Sequence, residues 1–385
     1  MKYVFVFSAV FWLSAIDLVK AESQNRFEYL VDGLAQGSLK TQLTQCLSLP
    51  LQASDFSISH RGAPMGYPEH SKEGYLAAIE MGAGLIECDA VLTKDKELVC
   101  RHSECDLHRT TNMLQTELSS QCEAPFEPWR PGRSASAKCC TSDLTLKQFK
   151  SLCARSDYVD DRATTVDDYL RNKRPLEGKE SVQCGTLQTH RESVRLISSH
   201  DRKHIPELKR MDPQTLRSLN LTVEQYAVLL LREYQALGVS PDRIFPQSFS
   251  WEVIEFWITH YPEYAKNVVF LDGRGRIPGF RSTQANMNSM YEKGLRIIAP
   301  PIPMLVEVND QGDLQRTRYA DHALAAGLEV ITWTFETRLS EVPGFSKMES
   351  DRIRVLDALK EEVNVSGVFS DWPETVTRYA NCMNL

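Results

Sequence analysis

The sequence predicts an α/β fold, namely a TIM (β/α)8 barrel that carries a cysteine-rich insertion. Short apolar runs alternate with helical patterns along most of the 385 residues, which is typical of a parallel sheet covered by helices. One stretch, 105–202, breaks this alternation, because it is polar and far longer than the usual two to six residues of a βα loop. A chain of this length suits one large barrel with an insertion.

Nine runs have the composition of strands. They are 56–60, 85–92, 98–102, 204–209, 243–249, 267–272, 295–300, 329–335 and 367–371. The turn at 93–96 leaves no room for a helix, so the second and third runs are predicted to pair as an antiparallel hairpin that brings Glu87 opposite His102. If this hairpin occupies one barrel position, eight positions remain and the ring can close.

Helical patterns lie between these runs. The predicted helices are 71–81, 222–236, 251–260, 283–293, 319–326 and 351–361, with a further candidate near 26–34 and two short ones in the insertion, at 145–153 and 166–174. The segment 128–138 is rich in proline, glycine and serine and is predicted to be a loop.

The chain is predicted to be exported. Residues 1–21 resemble a signal peptide, because a lysine precedes an apolar run and 19–21 approximates the small-x-small cleavage rule. An uncleaved anchor is the alternative. No later apolar run reaches about 18 residues, so no stable membrane insertion is expected after cleavage, and the protein would be periplasmic or secreted. Residues 22–54 then form a lead-in, 55–104 and 203–385 the barrel, and 105–202 an insertion on the catalytic face.

Ten cysteines in an exported chain predict disulfides. Six of them fall in the insertion or at its edge, namely Cys105, Cys122, Cys139, Cys140, Cys153 and Cys184, and their pairing is left open. Zinc binding by this group is disfavoured, because no C-x-x-C pair is present. Cys88 and Cys100 lie inside strand-like runs and are predicted to be buried free thiols.

The charge of the chain excludes one class of partner. The net charge is −7, or −8 without residues 1–21, and no block of basic residues stands out. We therefore expect no nucleic-acid partner. The oligomeric state is left open.

Ionisable side chains gather at the ends of predicted strands between Ile58 and Asn112. His60 and His102 each end an apolar run, and Glu87 and Asp89 share one strand face because side chains alternate with a period of two. Glu207 lies on a later predicted strand, 204–209. Strand ends of a TIM barrel converge on the active site, and three carboxylates without thiolates suit one divalent cation, Ca²⁺ or Mg²⁺.

The two histidines are then free to act as general acid and general base. Arg61 offers a planar fork for a phosphate, and Lys209 adds a point charge. This combination favours a phosphodiesterase over an esterase. A serine hydrolase is unsupported, because the chain has no G-x-S-x-G motif.

These motifs resemble those of the glycerophosphodiester phosphodiesterase family, a TIM-barrel family related to phosphatidylinositol-type phosphodiesterases. The resemblance covers about 56–380, without most of the insertion. It rests on His60-Arg61-Gly62, Pro68-Glu69-His70-Ser71, Glu87-Cys88-Asp89, His102-Ser103, Glu207-Leu208-Lys209, Gln247-Ser248-Phe249, Trp333-Thr334 and Ser370-Asp371.

The resemblance implies a role for each matching residue. His60 and His102 would be the acid/base pair, and Glu87, Asp89 and Glu207 would hold the cation. Arg61 and Lys209 would contact the phosphate, while Phe249 and Trp333 would line the pocket for the glycerol or alcohol. The reaction would convert a small-molecule glycerophosphodiester to glycerol 3-phosphate and an alcohol, with either a glycerol hydroxyl or water attacking phosphorus.

Three positions depart from the family pattern. Ser103 replaces an aspartate, the Pro-Glu-Asn-Thr motif has become Pro-Glu-His-Ser, and Pro206 precedes Glu207 inside a predicted strand. These departures affect substrate preference more than reaction type. The alternatives are a lysophospholipase D or sphingomyelinase D-like phosphodiesterase, and a surface binding protein that has kept the barrel without turnover.

Overall fold

The computed structural model describes residues 25–171, 184–345 and 348–385, so the predicted signal peptide lies outside the described residues. Its strands are β1 (Ser54–Ser59), β2 (Ala83–Ile86), β3 (Asp89–Leu92), β4 (Leu98–Cys100), β5 (Ala124–Glu127), β6 (Ser136–Lys138), β7 (Cys153–Ala154), β8 (Gly185–Thr186), β9 (Lys203–His204), β10 (Glu207–Leu208), β11 (Gln247–Ser248), β12 (Val269–Leu271), β13 (Ile297–Ala299), β14 (Val306–Val308), β15 (Leu314–Arg316), β16 (Glu329–Thr332) and β17 (Gly367–Ser370).

The central sheet confirms the predicted TIM barrel. Eleven strands follow the order β4-β3-β10-β11-β12-β13-β16-β17-β1-β2-β9, and all neighbours except β3 and β4 are parallel. The sheet closes because 203–209 stays paired with 85–90. The amides of Ile205 and Glu207 donate to the carbonyls of Ile86 and Cys88 at 3.1 and 3.0 Å.

The predicted hairpin is confirmed as the antiparallel pair β3 and β4. Its register was predicted wrongly. Ala90 pairs with Cys100, and the amide of Arg101 donates to the carbonyl of Asp89 at 2.8 Å, so His102 is not opposite Glu87. The turn contains one residue more than the predicted pairing requires, because Lys96 adopts a positive φ of 65°.

The helices confirm the predicted strand–helix alternation. They are α1 (Arg26–Asp32), α2 (Ser38–Gln45), α3 (Lys72–Glu80), α4 (Leu107–Thr110), α5 (Leu146–Phe149), α6 (Val166–Tyr169), α7 (His190–Ser199), α8 (Pro213–Ser218), α9 (Val223–Ala236), α10 (Trp251–His260), α11 (Gln284–Glu292), α12 (Arg318–Ala325), α13 (Asp351–Glu361) and α14 (Pro373–Met383). Within the described ranges, each helix is too short or too polar to span a membrane.

The barrel-covering helix α7 was missed in the sequence, as was α14, which packs against β1 and β17. Thr189 and Glu192 form a capping box at the start of α7, in which each side chain accepts from the other residue's backbone amide at 2.9 Å. This Thr-x-x-Glu spacing is a helix-start signal that the sequence already contained. Helix α7 lies inside the segment predicted as the insertion and contacts β4 and β9.

The core divides into distinct apolar layers. A large cluster lies between the strands and the covering helices, and a smaller one fills the barrel, where Ile58, Val269 and Phe369 are among the buried side chains. A separate cluster runs from Val91 and Val99 into 107–170 and also includes Leu187. The segment after β4 therefore packs its own core against the hairpin. The exact boundaries of an insertion subdomain stay a prediction.

The predicted disulfides are confirmed. The pairs are Cys46–Cys382, Cys88–Cys100, Cys105–Cys140, Cys122–Cys139 and Cys153–Cys184, and the described residues include no free cysteine. The prediction that Cys88 and Cys100 are free thiols was wrong. The hairpin brings their Cα atoms within 5.3 Å, a normal separation for a disulfide, which the separate strands did not reveal.

The Cys46–Cys382 disulfide joins the two ends of the described chain across 336 residues. Replacing both cysteines by serine is expected to lower the free energy of unfolding by about 2–5 kcal/mol, because the unfolded chain gains conformational freedom. Chemical denaturation of the variant and the wild type, without reductant, measures the difference. An unchanged denaturation midpoint would show that α1, α2 and α14 hold the ends together without this bond.

Candidate active site

Side chains from several strands meet at the carboxyl end of the barrel. His60 follows β1, and Asp371 follows β17, its parallel neighbour. Glu207 pairs in register with Asp89 on one side and with Gln247 on the other, so β3, β10 and β11 present these side chains in one row. The site therefore depends on the register of neighbouring strands.

Three buried carboxylates form the centre of the site. Oxygen atoms of Glu87, Asp89 and Glu207 all lie within 4.8 Å of one another. The Glu87 carboxylate accepts from the Arg61 backbone amide at 2.9 Å and from Nε2 of Gln247 at 2.8 Å. These contacts hold the carboxylate in place but leave the three acidic groups packed together.

The protonation of this trio is strongly perturbed. Burial, followed by the charges of Asp89 and Glu207, raises the pKa of Glu87 well above its usual range. Burial raises the pKa of Glu207 to about 7. Burial also acts to raise the pKa of Asp89, but Lys209 and His70 outweigh it and lower that pKa well below its usual range.

The trio fits a hard divalent cation. The donors are all oxygen atoms, which Ca²⁺ and Mg²⁺ prefer. Across the described residues, no hydrogen-bond donor reaches Oδ1 of Asp89, although this atom is buried. A buried carboxylate oxygen without a partner is costly, and a cation would satisfy it.

Proton competition at this site gives a testable pH dependence. Because the pKa of Glu207 is raised to about 7, the metal-free side chain holds a proton below pH 7, and a binding cation must displace it. The affinity for Ca²⁺ or Mg²⁺ is expected to fall by at least about tenfold per pH unit below pH 7, and more steeply wherever Glu87, whose pKa is also raised, must lose a proton as well. Titration calorimetry at pH 5.5–8 in two buffers of different ionisation enthalpy measures affinity and protons released. A flat affinity between pH 6 and 8 would contradict this prediction.

Two positively charged side chains, those of Lys209 and Arg61, lie beside the carboxylate trio. Nζ of Lys209 lies 2.8 Å from Oε1 of Glu207 and 3.9 Å from Oδ2 of Asp89. Nη1 of Arg61 donates to Glu69 at 3.1 Å, and Arg61 has a positive φ of 56°. Burial acts to lower the pKa of Arg61, but Glu69 and Asp89 outweigh it and raise that pKa. Both side chains therefore remain charged and can bind an anion.

Two residues of the Pro-Glu-His-Ser motif position this cluster, and neither was predicted as a site residue. Glu69 is buried and forms ion pairs with Arg61 and Arg101. Burial acts to raise the pKa of Glu69, but the two arginines outweigh it and lower that pKa to about 2. Nε2 of His70 lies 3.0 Å from Oδ2 of Asp89, and Nδ1 lies 2.9 Å from the Tyr75 hydroxyl. The position where this chain departs from the family pattern thus contacts a predicted metal ligand.

The two predicted acid/base histidines have different surroundings. Nδ1 of His60 lies 2.5 Å from Oδ1 of Asp371, whose backbone amide donates to Glu336 at 2.7 Å. His102 has no such carboxylate contact among the described hydrogen bonds. Burial, followed by Arg61 and Lys209, lowers the pKa of His102 to about 3. His102 is therefore neutral in the free protein.

Asp371 was not included in the predicted site, although its position at a strand end was a usable signal. The variant Asp371→Asn is expected to lower kcat by up to about 10⁴-fold with little change in KM, because asparagine keeps a contact to His60 but no longer stabilises an imidazolium. The pH profile of kcat should change in the same variant. Unchanged kcat and an unchanged profile would leave Asp371 with a structural role only.

One cavity of about 240 Å³ collects nearly all the predicted residues. Its lining includes His60, Arg61, Glu87, His102, Glu207, Lys209, Phe249 and Trp333, together with Leu271, Arg276 and Phe369. Phe249 and Trp333 meet edge to face with ring centroids 5.7 Å apart. Asp89, the ninth predicted residue, lies beneath the cavity within the carboxylate trio. The structure thus brings the predicted set together.

The family model of the glycerophosphoryl diester phosphodiesterases matches residues 60–375. The chain belongs to this family. The predicted family and enzyme class, a glycerophosphodiester phosphodiesterase, are therefore confirmed. The match spans both halves of the barrel and the segment between them, so the long segment lies inside the family domain.

Related sequences are named either as glycerophosphodiester phosphodiesterases or as an extracellular protein. An extracellular protein of Arthroderma benhamiae is 35% identical over 244 residues, which cover 60% of this chain and all of that protein. Glycerophosphodiester phosphodiesterase GDPD6 of Arabidopsis thaliana is 31% identical over 121 residues. That match covers 31% of this chain and 32% of the plant protein.

Solved structures share the fold. A structure from Silicibacter pomeroyi, assigned as a glycerophosphoryl diester phosphodiesterase, has a TM-score of 0.59 at 18% identity and covers 90% of this chain and 98% of its own. A phosphodiesterase of Oleispira antarctica, solved with the product sn-glycerol-3-phosphate, has a TM-score of 0.51 at 16% identity and covers 87% and 98%. At these identities the similarity concerns the barrel.

Proposed function

We propose that this family member is an exported, metal-dependent enzyme that hydrolyses glycerophosphodiesters to glycerol 3-phosphate and an alcohol. One observation carries the proposal. A single cavity is lined by two histidines, three positively charged side chains and two members of a buried carboxylate trio, which suits an anionic phosphodiester. The product complex of the Oleispira antarctica structure supports glycerol 3-phosphate as the product.

Glu87, Asp89 and Glu207 would hold the cation. When bound, a divalent cation would offset negative charge on the phosphate and lower the pKa of an attacking hydroxyl. Arg61 and Lys209 would bind the phosphate oxygens and orient the diester. The reaction also requires proton transfer, which we assign to the two histidines.

His60 and His102 would share the acid and base roles. Asp371 fixes one ring nitrogen of His60 and directs the other toward the cavity, as a carboxylate does for a catalytic histidine. His102 is kept neutral by burial and then by the positive charges of Arg61 and Lys209, and the bound phosphate would offset those charges and raise its pKa. Phe249 and Trp333 would shield the reacting group from water.

Assay of purified protein with sn-glycero-3-phosphocholine and Ca²⁺ or Mg²⁺ tests the proposal. Choline and glycerol 3-phosphate should appear in equal amounts. Lysophosphatidylcholine is run alongside, and preference for it would favour the lysophospholipase D alternative. Binding of glycerophosphocholine without any release of choline would instead identify a binding protein and refute the proposed activity.

Export rests on different observations. Five disulfides are typical of a protein that folds in an oxidising compartment. The relative from Arthroderma benhamiae is named as extracellular. With the predicted signal peptide at 1–21, these observations support a secreted or periplasmic enzyme.

A further inference from the structure

A third positively charged side chain, that of Arg276, lines the active-site cavity and has no role in the reaction proposed above. It ends the short 3₁₀ turn Arg274–Arg276, which follows β12. Arg276 is exposed, whereas Glu87 and Glu207, which line the same cavity, are buried. Arg276 therefore lies at the open rim of the cavity, away from the carboxylate trio.

The turn that carries Arg276 is held in place by the other arginine of the same turn. Nε and Nη2 of Arg274 donate to the two carboxylate oxygens of the buried Asp272, each at 2.7 Å. The hydroxyl of Tyr319 donates to the same carboxylate at 2.6 Å, and the backbone amide of Arg276 donates to the carbonyl of Gly273 at 3.1 Å. These contacts fix the position from which the Arg276 side chain extends.

Arg276 differs from Arg274 in having no acidic partner. Across the described parts of the chain, no carboxylate forms an ion pair with Arg276, and its guanidinium lies over the Trp333 ring, 5.2 Å from the ring centroid. The indole N–H of Trp333 donates to the carbonyl of Ala299 at 2.7 Å, which anchors the ring. A guanidinium is permanently charged, and its N–H groups match the oxygens of a carboxylate or a phosphate. Arg276 is therefore placed to bind an anionic group of a ligand.

The same contact opposes a cationic head group. Quaternary ammonium groups bind over the faces of aromatic rings, and Phe249 and Trp333 are the two aromatic side chains that meet in this part of the cavity. The guanidinium of Arg276 already lies over Trp333, so a bound ammonium group would be placed beside a like charge. The rim therefore disfavours choline and favours negative charge.

We propose that Arg276 determines substrate choice by binding an anionic group, a carboxylate or a second phosphate, on the alcohol arm of the diester. This inference rests on the proposed function and names the class of alcohol. The glycerol, with its candidate attacking hydroxyl, must stay close to the carboxylate trio, which leaves the exposed rim to the alcohol arm. A carboxylate and a phosphate present the same oxygen acceptors to a guanidinium, so the experiment includes both.

A series of sn-glycero-3-phosphodiesters that differ in the charge of the alcohol tests the inference with the wild-type enzyme. Choline is compared with its neutral isostere 3,3-dimethylbutanol, and 4-hydroxybutyrate and a diol monophosphate are compared with the neutral 4-hydroxybutyramide. The value of kcat/KM should be at least about fivefold higher for each anionic arm than for the amide, and about fivefold lower for choline than for its isostere. Both ratios should shrink at high salt, because the rim is exposed.

Variants of Arg276 attribute these ratios to one side chain. Arg276→Gln should bring both ratios to within about twofold of unity, Arg276→Lys should retain part of each, and Arg276→Glu should reverse the order so that choline is preferred. Arg281→Gln removes an exposed arginine five residues further along, outside the cavity lining, and is the matched control with wild-type ratios. Thermal melting confirms that each variant is folded.

Several results would overturn the inference. One is a wild-type enzyme that is indifferent to the charge of the alcohol, and another is a preference for anionic arms that survives in Arg276→Gln. Equal losses for every diester in Arg276→Gln would make Arg276 a further ligand of the reacting phosphate. In each of these cases the neutral diesters are still hydrolysed and the proposed function stands. If no diester is hydrolysed in the presence of divalent cation, the proposed function fails as well.

Discussion

Replacing His60 or His102 by alanine is expected to lower kcat by about 10²–10⁴, the usual contribution of a general acid or base. Each histidine lines the cavity that also contains the proposed phosphate ligands. The loss should appear in kcat more than in KM, because the proposed phosphate ligands Arg61 and Lys209 would be unchanged. Steady-state kinetics with glycerophosphocholine measures both constants.

The surroundings of the two histidines sharpen this expectation. Asp371 contacts His60. Replacing His60 by alanine therefore removes the imidazole that would carry the proton and leaves the Asp371 carboxylate without its partner. His102 is neutral in the free protein, with a pKa lowered to about 3 by burial and then by Arg61 and Lys209. The two variants should therefore change the pH profile of kcat in different ways.

A matched control separates catalysis from folding. His260 is exposed at the end of α10, and His260→Ala should keep wild-type turnover. Thermal melting of all three variants checks that the barrel remains folded. Near-wild-type kcat in a folded His60→Ala or His102→Ala enzyme would contradict the acid/base assignment.

Removal of the divalent cation is expected to reduce activity by about 10³-fold or more, and Ca²⁺ or Mg²⁺ should restore it. The carboxylate trio would hold the cation beside three positively charged side chains of the cavity, Arg61, Lys209 and Arg276. Without the cation, the site lacks the charge that would offset the phosphate and lower the pKa of the attacking hydroxyl. A loss of about 4 kcal/mol of transition-state stabilisation corresponds to that factor.

The experiment compares enzyme dialysed against EDTA with the same enzyme after addition of each cation. Asp89→Asn should reproduce the loss in the presence of cation, because Asp89 has the lowest pKa of the trio and an oxygen without a donor. Asp310→Asn, in an exposed turn, is the matched control. Full activity after dialysis, with metal analysis confirming removal, would rule out the metal role.

Much of the barrel follows from local sequence patterns. Apolar runs and helical periodicity correspond to backbone conformations that each segment favours, so strands such as β12, β13 and β17 were predicted within a few residues. The missed helix α7 is instructive, since its capping box at Thr189 and Glu192 was present in the sequence. The helix was missed because the surrounding segment is polar and rich in cysteine and was predicted as an insertion.

Pairing between distant segments was harder to predict. Cys88 and Cys100 looked like core thiols because each lies in an apolar strand, and only the register of β3 against β4 joins them. A shift of one residue in a hairpin changes every opposing pair. The same limit applies to Glu87 and His102, which the predicted turn placed opposite each other.

The sequence by itself determined the family and the enzyme class, and it predicted the residues that we expect to contribute charge and proton transfer, because these depend on motifs with a fixed order along the chain. The tertiary structure decided how those residues act on one another. Asp371 reaches His60, His70 reaches Asp89, and burial sets the pKa values of the trio, since all three effects require strands that are distant in sequence to lie side by side.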